Sequence, residues 1–369
     1  MSASLEIMIL ATLVATACAI PGVFLVLRRV ALMSDAISHA ILLGIVLAFF
    51  VVKDISSPWL IIAAAVTGLI TVSLTELIIH TRKLKEDAAI GLVFPLLFSM
   101  GVILISHYAG DVHLDTQCVL FGEIAFSPFD RLSFHDIDMG PRGIWVMSVV
   151  LLLNLAFVGL FYKELKIATF DPGLATVLGF YPIFIHYALM SLTSITAVGA
   201  FDSVGSILVV AMMITPPAAA YLLTDRLSRM LILSIFFGTM SALSGYWVAQ
   251  RIDASIAGSM ALMSGVIFLI VFIFAPERGL LARMFFKRWR RWDFATQMLA
   301  IHLLQAEITH ADATEHVVSH MYHHMLWDPE FTSEVIAQGL EDGLIKKFGE
   351  KLTLTPYGRE KAKNIIAHQ

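Results

Sequence analysis

Nine apolar runs long enough to cross a bilayer punctuate the chain, near 5–27, 30–52, 59–79, 88–106, 143–162, 182–200, 203–223, 230–250 and 254–275. The stretch 182–223 admits a re-entrant reading, so the pattern predicts eight or nine transmembrane helices. A shorter apolar piece, 117–126, is too brief to cross. From about residue 292 the pattern becomes that of a water-exposed domain, with helical periodicity over 293–308, 311–325 and 331–342. Residues 343–356 then read as two short strands around a turn at Gly349, with a final helix from about 357. The expected fold is an all-α integral membrane protein followed by a small α+β domain. Its parts are a membrane domain at 1–276, a basic juxtamembrane linker at 277–291 and the small domain at 292–369.

Composition supports that class. Of 369 residues, 58% are hydrophobic and only 15% charged. Cys18 and Cys118 both lie in apolar stretches, which offers no disulfide framework. Only Glu6 is charged before Arg28, so residues 7–27 read as a retained helix rather than a cleaved signal. No G-x-x-x-x-G-K-[ST] sequence occurs, and nucleotide-driven work therefore falls to another subunit. Alternate loops hold Arg28 and Arg29; Arg82, Lys83 and Lys85; Lys163 and Lys166; Arg226 and Arg229. The opposite loops hold Lys53, Arg131, Arg142 and Arg251, and the nine-to-four excess assigns the first set to the cytoplasm. With nine crossings, the C-terminal domain is expected on that side.

The candidate chemistry starts at Asp35 and His39, four residues apart on one helical face inside an apolar segment. An ionisable side chain at bilayer depth costs roughly 2.5–3.5 kcal/mol, so it usually lines a pathway or meets a partner. A carboxylate with an imidazole suits divalent manganese, zinc or iron. The competing reading, a capping aspartate and a packed histidine, does not account for a histidine one turn deeper. Glu76 and His80, also four apart, read as a solvated interfacial pair. Glu86 and Asp87 suit a helix start, and Pro95 predicts a kink. In the loop at 171–180, Asp171 is placed to cap a short helix with Pro172 at its first position and Gly179 at its end. Leu174, Ala175 and Leu178 would form its apolar face, for docking or as a plain connector. His107, Asp111, His113 and Asp115 crowd an outer loop, where they are minority candidates for receiving an ion. Asp202 is another outer candidate, better explained as a helix cap.

Five stretches in series resemble the membrane subunit of bacterial manganese/zinc/iron ABC transporters. They are G-V-F-L-V-L-R-R at 22–29, S-D-A-I-S-H-A at 34–40, E-D-A-A-I-G at 86–91, D-P-x-x-A-x-x-x-G at 171–179 and V-G-S-I-L-V-V-A-M-M-I-T-P-P-A at 204–218. The resemblance covers roughly 5–275 and implies a permease of the bacterial inner membrane. It implies two permease subunits, identical or related, resting on a cytoplasmic dimer of ATP-binding subunits, with an extracytoplasmic metal-binding lipoprotein delivering the ion. It further implies an ion site at Asp35 and His39, with ATPase docking at Asp171, Pro172, Gly173, Leu174, Ala175, Leu178 and Gly179. Leu42-Leu43-Gly44 stands where many relatives carry a proline. No permanent cofactor is expected, the divalent ion being cargo. The tail from Gly343 to Ala362 resembles the wing and following helix of winged-helix domains, as in metal-dependent repressors. Residues 292–369 nevertheless hold eleven acidic against six basic side chains, which reads against DNA binding. His316, His320, His323 and His324 offer a sensing site there, or simply a solvated helix face.

The expected function is import of a divalent transition metal by alternating access, driven by ATP hydrolysed elsewhere, with the ion held near the membrane midline. Ligation needs neutral imidazole, so import should fall as pH drops below about 6.5. The rivals are a secondary metal/proton carrier and a membrane-tethered regulator using its tail. An enzyme is not expected.

Overall fold

A computed structural model describes residues 2–53, 57–108, 124–134, 137–308, 327–349 and 351–367. The chain divides into two compact units, Met1–Gly279 and Leu280–Gln369.

The first unit is helical. α1 (Ala3–Leu27), α2 (Leu32–Val52), α3 (Pro58–His80) and α4 (Glu86–Tyr108) come first. A 3₁₀ turn at Ile124–Phe129 and an antiparallel hairpin of β1 (Arg131–Phe134) and β2 (Ile137–Pro141) follow. Then come α5 (Arg142–Leu160), α6 (Tyr162–Phe170), α7 (Pro172–Val177), α8 (Pro182–Leu223), α9 (Leu227–Ile252) and α10 (Ile256–Phe274). α1 is the central helix, buried by α8, α9 and α5. The hairpin was not expected from the sequence, being short and polar. An ion pair from Arg131 Nε to Asp138, 2.7 Å, ties it together, and Arg131 also reaches the buried Glu6 carboxylate of α1 at 3.4 Å.

α8 resolves the ambiguity at 182–223. Its 42 residues would extend about 63 Å if straight, twice the bilayer core of ~30 Å. Gly205, at φ 77° and ψ 165°, breaks it in a region essentially reserved for glycine. The contacts then show a reversal. Ser203 and Leu10 both abut Gly143 at one end of the bundle, whereas His186 meets Arg28, and Met213 and Pro217 meet Gly22, towards the other. The two halves form a hairpin, and the described residues contain nine spans of membrane-crossing length and hydropathy.

Prolines in these helices release carbonyls that neighbours must answer, because lipid supplies no donor. Pro21 leaves the carbonyl of Ala17 free of its helical bond, and the Asn154 amide of α5 donates to it at 3.0 Å while also bonding Thr196 of α8. Pro217 similarly frees Met213. A Cβ on Gly22 would lie 2.1 Å from that Met213 oxygen, so glycine is what lets α1 and α8 approach there.

The second unit holds α11 (Leu280–Ile308), α12 (Pro329–Glu341), a hairpin of β3 (Ile345–Phe348) and β4 (Lys351–Leu354), and α13 (Pro356–Ala367). The stretch read from sequence as a linker continues as helix from Leu280, because nothing between 280 and 308 interrupts it. Leu299, Leu303, Val335, Leu352 and Ala362 lie at the centre of its small core. Thr355 caps α13, accepting from the Gly358 amide at 2.9 Å. The helix expected at 311–325, with its four histidines, lies outside the described residues.

Candidate functional site

α2 positions the predicted pair. Asp35 falls in its first turn and His39 one turn on, about 5 and 11 Å along the axis. The pair therefore lies in the half of α2 nearest Arg28 and Arg29, because the helix starts only at Leu32. His39 Nε2 lies 3.2 Å from Asp35 Oδ1, and the side chains are 27% and 35% exposed. Ser34 and Ser38 on the same segment turn inward and satisfy themselves on backbone oxygens one turn back. The imidazole rests against two rings of α4, Phe94 and Phe98, each with its centroid 5.8 Å away. Neither Asp35 nor His39 hydrogen-bonds or ion-pairs to another helix among the described residues. An apolar wall thus fixes the ring while its polar edge stays available.

Two donors make a partial coordination shell. Among the described residues no cluster of three or more His, Cys, Asp or Glu is placed to hold a metal. An arriving ion would bring water or find further ligands elsewhere, as suits an ion that must leave again.

A second acid–imidazole contact was not anticipated. Glu76, expected to be solvated with His80, instead pairs with His186 Nε2 across α3 and α8, because α8 packs directly on α3. Glu76 also bonds Tyr187. On its other side His186 Nδ1 lies 2.9 Å from Arg28 Nη1, and Arg28 Nε donates to Thr169 of α6 at 3.2 Å. Arginine can only donate, so Nδ1 is the acceptor in this contact. Burial pushes the Arg28 guanidinium down to about 10, and it stays charged at neutral pH. The available signal was an ionisable residue isolated in an apolar run, His186 four residues after Pro182.

The loop at 171–180 is built as local chemistry dictates. Asp171 accepts from the Leu174 amide at 2.9 Å, Pro172 opens α7, and Gly179 follows it at φ 83°. Ala175 corrects the expected apolar face: it is buried with Leu165 and Ala168, while Leu174, Val177 and Leu178 point outward. These three share a face at i, i+3 and i+4, with Ala175 turned from it. His107 is exposed in the last turn of α4. Asp202 sits where α8 reverses, its side chain undescribed, and Asp111, His113 and Asp115 lie outside the described residues.

The described residues form a bundle with nine helices long and apolar enough to cross a membrane, one of them carrying a half-open acid–imidazole pair, which is the architecture of a polytopic membrane protein. The family model described as the ABC 3 transport family matches residues 3–275, and the chain belongs to that family. It is 47% identical over 355 residues to the zinc transport system membrane protein TroD of Treponema pallidum, covering 96% of each chain. It is 48% identical over 282 residues to the manganese transport system membrane protein MntD of Bacillus subtilis, covering 76% of this chain and 95% of that one. The first match is long enough to enter the C-terminal unit; the second is too short to span both units. The solved structure of PsaBC from Streptococcus pneumoniae in complex with Fab superposes with a TM-score of 0.62 at 33% identity, covering 74% of this chain and 92% of that one.

Proposed function

We infer that the chain is the membrane permease of an ATP-driven importer of divalent transition metals, with Asp35 and His39 as transient ligands of the cargo. The half-open pair carries this reading: two donors suited to manganese, zinc or iron, the imidazole held against aromatic rings and neither donor bonded to another helix among the described residues. The names of the similar zinc and manganese transport proteins support the same cargo class. ATP hydrolysis belongs to a separate subunit.

The outward face of α7, Leu174, Val177 and Leu178, is the proposed docking point for that ATP-binding subunit, with Asp171, Pro172, Gly173 and Gly179 shaping it. A second permease subunit and an extracytoplasmic metal-binding protein complete the proposed assembly. His107 and Asp202 stay candidates for an outer entry path. The C-terminal unit is proposed to lie in the cytoplasm as a winged-helix-like interaction or regulatory module. Its order of helix, hairpin and helix supports this, and its acid excess speaks against nucleic acid.

Accumulation of radioactive manganese and zinc by cells expressing the assembled transporter tests the site. Replacing both Asp35 and His39 by alanine should reduce uptake to background with the complex still assembled. Unchanged uptake would overturn the assignment. Uptake by the purified chain in liposomes without an ATPase would instead establish a secondary carrier.

A further inference from the structure

Where α8 and α10 end and α9 begins, a cavity of about 260 Å³ opens between the α8–α9 turn and the segment after α10. Its charged lining is Asp225, Arg226, Arg229, Glu277 and Arg278. One of these arginines is committed. Arg278 pairs with Asp225, donates to the Tyr221 carbonyl at 2.9 Å and lies 4.9 Å from the Tyr221 ring centroid. The other two are exposed and have no side-chain partner among the described residues. With Asp225 answered by Arg278, two cations face one remaining acid, Glu277.

Depth and neighbours narrow the ligand. Leu223 ends α8, Leu227 begins α9 and Phe274 ends α10, so the cavity lies where three apolar spans meet water. That is the level of lipid phosphates. Arg226 directly precedes α9 and Arg229 lies in its first turn, three residues apart and able to converge. Guanidinium forks match phosphate oxygens in pairs. From Arg229 an exposed apolar stripe runs along the same helix through Ile232, Phe236, Met240 and Leu243, at steps of three and four. A free anion has no use for such a stripe, whereas an acyl chain does.

We propose that this cavity binds the phosphate of an anionic phospholipid, with Arg226 and Arg229 as its donors and an acyl chain lying along Ile232 and Phe236. The site is separate from the Asp35–His39 pair and does not depend on the cargo.

The test uses the assembled complex in detergent, titrated with phosphatidylglycerol or phosphatidylcholine and followed by native mass spectrometry. Wild type should prefer phosphatidylglycerol. Changing Arg226→Gln together with Arg229→Gln should weaken that binding about 30-fold, at roughly a factor of five per arginine. Arg251→Gln, at the opposite end of α9, should leave it unchanged. Phe236→Ser should weaken phosphatidylglycerol binding without affecting inorganic phosphate. Equal affinity for the two lipids, or no loss in the double variant, would overturn the site. Displacement of phosphatidylglycerol by millimolar inorganic phosphate, with Phe236→Ser silent, would assign it to a free anion and overturn the lipid reading. Loss of the ATP-binding subunit from the double variant with lipid binding intact would make it a protein contact, again overturning the proposal.

Discussion

Two acid–imidazole pairs occupy one bundle and are built oppositely. Asp35 and His39 belong to a single helix, the His39 ring lies against two phenylalanines, and neither side chain bonds another helix among the described residues. Glu76 and His186 join two helices and are engaged further by Tyr187 and by Arg28, which reaches on to Thr169, although the buried Arg28 Nη2 finds no hydrogen-bond partner among the described residues. The residue types are nearly the same; the partners differ. A ligand for passing cargo has to be positioned but uncommitted, whereas a group that holds helices together has to be engaged across them. Through Arg28 the second pair also reaches α6, which leads directly into α7, the proposed docking point.

The widest separation between the pairs should come from alanine at Asp35 and His39. Metal accumulation is expected to fall at least ~100-fold, beyond the loss typical for outer-sphere changes. The thermal unfolding midpoint in detergent should barely move, since no contact to another helix is lost apart from ring packing. A large drop in that midpoint would erase the distinction.

Arg28→Ala should do the reverse. It strands His186 and Thr169 at a crowded junction, and a broken buried charge network costs about 3 kcal/mol. A lowered unfolding midpoint with metal binding retained is the expected result. Arg28→Lys should rescue only part of it, because one ammonium nitrogen has to replace two separated donors, Nε on Thr169 and Nη1 on His186.

Gly205→Ala discriminates more finely. The observed φ of 77° disfavours any Cβ, at about 1–3 kcal/mol. α8 carries His186 but neither Asp35 nor His39, so stability should fall further than metal affinity. Equal losses in both would show that the reversal also shapes the proposed ion site.

The smallest effect belongs to the exposed Arg131–Asp138 pair. Arg131 holds the Asp138 carboxyl below its ordinary range, so the contribution is complete above about pH 4 and fades as pH falls through the lowered value. Asp138→Asn should remove that acid-side change from thermal melts and leave neutral-pH transport intact. A loss of transport at neutral pH would mean the hairpin does more than brace Glu6.

Much of this was readable in the residues. The spans follow from runs of apolar side chains, since each must match the bilayer by length alone. The α7 turn follows from Asp171, Pro172 and Gly179, whose effects are confined to a few bonds. The acid–imidazole pair on α2 follows from helical spacing, and the family from five motifs in series. Other features were not readable. Ala175 was placed on the outward face, although the packing of α6 turns it in. Glu76 was assigned to solvent because nothing near it in sequence announces His186, 110 positions away. The β1–β2 hairpin is too short and polar to stand out.

Local rules therefore accounted for the apolar spans, the Asp171 cap and the spacing that brings Asp35 and His39 together on one helix, because those depend on covalent neighbours and on one helix period. Which acid stays open and which is tied down, where α8 turns back, and which carbonyl Asn154 rescues after Pro21 were set by helices meeting from distant parts of the chain. Inside a bilayer no water stands in for a missing partner. The role of each polar side chain is accordingly decided by the helix packed against it.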